Sequence, residues 1–91
     1  LAVGACASAP TTTPLLADAR SAVERVQQDT TVASVAQEEI DRARQLLQLA
    51  DGAAAEGDDT EIVDHYAYLA RQQALLAEQR AVRRNAEQRI A

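Results

Sequence analysis

Val63-Asp64-His65-Tyr66-Ala67-Tyr68-Leu69-Ala70-Arg71-Gln72-Gln73-Ala74-Leu75-Leu76-Ala77-Glu78-Gln79-Arg80-Ala81 carries the periodicity that decides the fold. Val63, Ala67, Ala70, Ala74, Ala77 and Ala81 recur at alternating steps of four and three, the spacing of one face of an α-helix. A heptad of small residues lets a neighbouring helix approach closely. On the adjoining line run Ile62, Tyr66, Leu69, Gln73 and Leu76. The pattern spans about 59–90, or roughly 48 Å at 1.5 Å per residue. Its end, Arg80 to Arg89, has few large apolar groups, Val82 and then Ile90, and is expected to project past its partners into solvent. The pattern reaches Ala91 without a cap or glycine, which suggests that the natural protein continues.

Upstream, a second helix is predicted over about 35–56. Ser34 and Gln37 read as a capping box, with Glu38 and Glu39 in a first turn favoured by the helix dipole. Its stripe is Ala36, Ile40, Ala43, Leu47, Ala50 and Ala54, widened by Leu46 and Leu49, and Gly57 is the natural stop. Asp58 and Glu61 repeat the capping logic for the third helix, expected to begin at Asp58 or Asp59. A first helix is predicted over about 14–28, with Thr13 as N-cap and Pro14 at the first position. Leu15, Ala19, Ala22, Val23 and Val26 form its apolar face, and the β-branched run Thr30-Thr31-Val32 reads as part of a connection over 29–34. The fold class is all-α: an antiparallel three-helix bundle in 14–91, with a long, partly projecting third helix.

Composition narrows the rest. Ninety-one residues make one domain at most. Without Phe, Trp or Met, the apolar fraction rests heavily on alanine, so the core is thin. The net charge of −5 argues against general nucleic-acid binding. The single cysteine forbids an internal disulfide.

That cysteine is the strongest pointer to location. Val3-Gly4-Ala5-Cys6 resembles a bacterial lipobox: an aliphatic residue, two small residues, then the cysteine that receives a diacylglycerol. Residues 1–5 are then a residual signal-peptide segment, and 6–13 the lipidated cysteine with a flexible tether, small and polar as such tethers are. The resemblance implies palmitate-type lipidation at Cys6 and a membrane partner reached through the lipid. Ala7, not aspartate, follows Cys6, which by likeness to enteric sorting rules fits the outer membrane, facing the periplasm.

Val35-Ala36-Gln37-Glu38-Glu39-Ile40, Ala43, Leu46-Leu47 and Ala50, then Gly57 and His65-Tyr66-Ala67-Tyr68-Leu69-Ala70 with Ala74, Ala77 and Ala81, resemble the family catalogued as domain of unknown function 4398. The resemblance covers about 14–85. It implies a small helical domain of envelope lipoproteins, some of which continue into an OmpA-like domain that grips peptidoglycan. Any cell-wall contact of that kind belongs to a downstream domain outside these residues. Gln37 stands where the family often has proline. The family carries no established catalytic residues to transfer.

Little here suggests chemistry. His65 has Asp64 beside it and no second histidine, short of the three or four ligands of a zinc site, so no metal or other cofactor is expected. The six carboxylates of Asp51 to Asp64 lack calcium-loop spacing and read as capping and solvated groups. No serine has a spaced base and no glycine-rich phosphate loop exists, so no catalytic residue is assigned. The candidate partner-binding residues are the line Ala67, Ala70, Ala74, Ala77 and Ala81, the tyrosine Tyr68, and the basic end Arg80, Arg83 and Arg84. The expected function is that of a non-enzymatic spacer or scaffold in the periplasm. The alternative is a helical interaction module whose alanine heptad pairs with itself or with another envelope helix.

Overall fold

The structure is a computed structural model and describes residues 9–90. The lipidation site expected at Cys6 lies outside the described residues. Three helices follow in order: α1 over Pro14–Gln28, α2 over Thr30–Ala55 and α3 over Thr60–Ile90. They pack up-down-up. Thr11, just before α1, bonds to Ala54 and Asp58 at the α2–α3 turn, and Arg25 near the end of α1 reaches Glu78 of α3. Thus α1 runs with α3, and α2 runs against both.

Each helix end has a local cause. The Thr13 hydroxyl accepts from the Leu16 N–H, and Pro14 opens α1 where its missing donor costs nothing. At the end of α2, the Gly57 N–H donates to the Ala54 carbonyl and the Asp58 N–H to that of Ala53. This pair of bonds is the Schellman arrangement, and Gly57, at φ 75°, supplies the left-handed residue that it requires.

The connection between α1 and α2 is shorter than 29–34. Asp29 alone links them: it ends α1 and caps α2, its carboxylate accepting from the Thr31 and Val32 N–H groups. The β-branched run Thr30-Thr31-Val32 is therefore a first helical turn, because the cap outweighs its modest propensity cost. The capping box at Ser34 and Gln37 does not form. The Ser34 hydroxyl donates back to the Thr31 carbonyl, and the Gln37 amide reaches Asp41. Such back-bonding bends helices, and α2 kinks two residues later at Ala36 (φ −132°, ψ 34°). The Asp58–Glu61 box is displaced too: α3 begins at Thr60, and it is Asp59 whose carbonyl receives the Ile62 and Val63 N–H groups.

Twelve of the eighteen buried apolar residues among those described are alanine, so the helices pack closely and side-chain volume is sparse. The larger members are Leu16, Val23, Val26, Val32, Ile40 and Val63. Leu16, not Leu15, is the buried leucine of α1; Leu15 lies at the edge. Val32 joins the core because it lies on the first turn of α2, four residues before the expected Ala36. The expected tether over 6–13 is also shorter where it is described. Thr11 is held by two bonds, from its N–H to the Ala54 carbonyl (2.8 Å) and from its hydroxyl to the Asp58 carbonyl (2.6 Å), and Thr13 is buried. No described helix is long and apolar enough to cross a membrane.

Candidate functional site

Three lines on α3 organise the surface. Ala67, Ala70, Ala74, Ala77 and Ala81 are buried with Val63, facing the interior that α1 and α2 fill. The alanine heptad expected to receive a partner helix is thus already occupied within the chain. The reason is physical: with so few large apolar groups, the bundle closes by bringing its own small-residue faces together.

The adjoining line, Ile62, Tyr66, Leu69, Gln73, Leu76 and Arg80, advances by fours and threes and lies toward α2, since Arg80 on that line reaches Glu39. On α2 the matching edge carries Val35, Arg42, Leu46 and Leu49. Val35, Leu46 and Tyr66 are partly buried against the core, whereas Leu49, Ile62 and Leu76 stay half in solvent. The apolar members of the two lines flank the α2–α3 groove on the side away from α1, with Gln73 and Arg42 between them. The opposite flank of α3 faces α1, where Glu78 takes a two-point contact from Arg25 at 2.8 and 3.2 Å. That pairing holds the Arg25 guanidinium above its ordinary range, first through the hydrogen bond and then through the charge of Glu78.

At one end the groove deepens into a hollow of about 470 Å³ bounded by Val35, Glu39, Leu76, Arg80, Arg83 and Arg84, with Gln79 and Glu87 at its rim. Glu39 is its least expected member. The sequence placed it in an exposed first turn, but the kink at Ala36 turns it inward, to 6% exposure. Arg80 donates to its Oε2 at 2.7 Å, while Oε1 is buried with no protein partner. Burial pushes the Glu39 carboxyl up most strongly. The Arg80 hydrogen bond, its own backbone N–H and the charges of Arg80 and Arg42 together outweigh that, and the net direction is down.

The other candidate residues scatter. Arg80 is bound to Glu39 and is not a free cation, whereas Arg83 and Arg84 are exposed and form no ion pair among the described residues. Tyr68 is half exposed on the outer surface. His65 is exposed, its ring meeting only that of Tyr66 edge-on, at 5.3 Å. Among the described residues, no three His, Cys, Asp or Glu side chains gather at one point. In the acidic stretch, Asp51 is taken by Arg20 of α1 at 2.6 Å. Residues 82–90 are exposed throughout, so α3 does run on beyond the packed body.

These features sit in a recognisable domain. The family model for the domain of unknown function 4398 matches residues 14–91. The chain belongs to that family. The match takes in all three helices, the inward alanine line and the kinked start of α2. No curated protein and no solved structure matches the chain significantly.

Proposed function

We propose that this domain is a non-enzymatic spacer or scaffold, held at the outer membrane by a lipid on Cys6 and facing the periplasm. The observation that carries the reading is the short distance between the lipobox-like segment and the packed body. Thr11, five residues after Cys6, is already fixed by two bonds to the far end of α2 and the following turn. At no more than about 3.6 Å per residue, an anchor at Cys6 holds that end of the bundle within roughly 18 Å of its attachment. The membrane-proximal end is then the acidic turn with Glu56, Asp58, Asp59 and Glu61, and the basic end of α3 lies at the opposite pole.

A bundle of this kind suits transmission of position better than chemistry. Its interior is alanine and aliphatic, and its surface depressions are open grooves between helices. The alternative reading, pairing through the alanine line, meets the burial described above: that face is released only if α1 or α2 leaves it.

Metabolic labelling with a palmitate analogue in a Gram-negative host, followed by membrane fractionation, tests the proposal. Label in the outer-membrane fraction that disappears in Cys6→Ala is the expected result. Equal labelling of both proteins, or an unlabelled chain free in the periplasm, removes the anchor and the spacer reading with it.

A further inference from the structure

We propose that the domain pairs with a second copy of itself, antiparallel, through the α2–α3 groove on the side away from α1. Three independent features of that groove select this occupant.

The first is where the large apolar side chains lie. Of the eight leucines among the described residues, only Leu16 is buried. Leu46, Leu49, Leu69 and Leu76 border this groove with Ile62 and Tyr66. The bundle buries its alanines and leaves these larger groups at its flank. Scattered exposed leucines need no explanation, but large apolar groups collected on one side of a helix pair mark an interaction surface.

The second is symmetry. Ile62 and Leu76 are 44% and 45% exposed, and each lies seven residues from Leu69 on the same line of α3. A two-fold axis through Leu69 places each Ile62 against the partner's Leu76, roughly 10 Å either side of the axis at 1.5 Å per residue. A self-complementary patch of this kind is what a two-fold interface demands.

The third is charge. Beyond Leu76 the groove reaches Arg83 and Arg84, whose two charges exceed that of Glu87 beside them, Arg80 being paired with Glu39. At the other end, before Ile62 in the chain, the α2–α3 turn carries Glu56, Asp58, Asp59 and Glu61. The same two-fold axis lays the basic end of each copy over the acidic turn of the other. A parallel pair stacks like charges at both ends instead, and like-charge juxtaposition selects against that register. The inference does not depend on lipidation.

Sedimentation equilibrium of the full chain under reducing conditions, at low and high salt, tests this. The expected result is a monomer–dimer equilibrium that weakens with salt. Arg83→Glu with Arg84→Glu, and separately Glu56→Arg with Glu61→Arg, each weaken it by roughly tenfold or more while leaving the circular dichroism unchanged. Mixing the two variants gives tighter pairing than either variant alone. One end of the mixed complex keeps its opposite charges, and the other sets the reversed end against a turn in which the two introduced arginines balance Asp58 and Asp59. Ile62→Ser with Leu76→Ser weakens association with no salt dependence of the loss. A full chain that stays monomeric at the highest concentration, association untouched by either charge set, or a mixture that pairs no more tightly than either variant alone overturns the proposal.

Discussion

Arg80 of α3 donates from Nη1 to Oε2 of Glu39 on α2 at 2.7 Å, across the point where α2 has just straightened after its kink. The two ends of this contact differ sharply. The Glu39 side chain is 8% exposed and that of Arg80 54%, so the acid is inside and its cation sits at the door. The next buried residue of α3, Ala81, is also the last, so this bond marks where the helix leaves the bundle.

The asymmetry makes the two halves of the pair unequal under mutation. Arg80→Ala strands a buried carboxylate and is expected to destabilise by about 1–3 kcal/mol, less than a fully buried pair because water reaches the site once the guanidinium is gone. Glu39→Leu removes the buried charge and leaves an arginine that is already half in solvent. It is expected to stay within about 1 kcal/mol of the parent, or to exceed it. Urea midpoints of both variants check this. A Glu39→Leu protein as unstable as Arg80→Ala means that the pair, not the burial of its acid, sets the energetics.

The same residue gives a pH signature. The folded-state Glu39 carboxyl is held below its ordinary 4.5, because the arginines and its backbone bond outweigh the burial that opposes them. A carboxylate depressed on folding adds stability at pH above its unfolded value and loses it as pH falls through the folded value. The parent should therefore weaken as the solution passes below about pH 4. In Arg80→Ala the hydrogen bond and charge of Arg80, which lower the carboxyl in the parent, are gone, so the variant has less of this stabilisation to lose. As the parent loses that contribution in acid, the deficit of the variant shrinks on acidification. Urea midpoints of parent and variant near pH 7 and at about pH 3 give the comparison, and a constant deficit sinks it.

Two glycines five residues apart should respond in opposite ways to alanine. Gly52 lies within α2 and a Cβ built there meets nothing within 4 Å, so Gly52→Ala gains helix propensity and should stabilise by about 0.5–1 kcal/mol. Gly57 holds φ 75° at the Schellman stop, where a Cβ crowds the backbone, and Gly57→Ala should cost about 1–2 kcal/mol. Thermal midpoints moving in opposite directions confirm the pairing; a neutral Gly57→Ala means that the turn relaxes into another stop.

The parts of this structure legible in the sequence are those fixed by short-range regularity. Val63 to Ala81 repeats without interruption, and the buried set of α3 is that line and no other. Thr13-Pro14 and Gly57 fix helix ends by local chemistry, and both do so as read. The misreadings share a different cause. Asp29 followed by Thr30-Thr31-Val32 offers a cap and a poor propensity run together, and propensity alone hid the helix. The i, i+4 recurrence Val32, Ala36, Ile40 was the signal that could have found it. Glu39 looked like a dipole partner because nothing local announces the bend at Ala36 that turns it inward. Nor could the alanine heptad say whose helix it would face. That depends on how the chain's own helices fill its faces, which is a property of the whole bundle.

The buried alanine line makes the sharpest test of this packing. Ala74 has no exposed surface and sits midway along the interior face of α3, where both neighbouring helices press close. Ala74→Leu adds three carbons with no void to receive them. Overpacking of this kind typically costs about 1–3 kcal/mol, and more where backbones are held near contact. Gln72→Leu adds an apolar group on the exposed side of the same helix and should stay within about 0.5 kcal/mol of the parent. Were the alanine line instead an outward surface waiting for a partner, Ala74→Leu would be as harmless as Gln72→Leu and would disturb only association. Urea denaturation of the two variants, at a concentration too low for pairing, separates these outcomes.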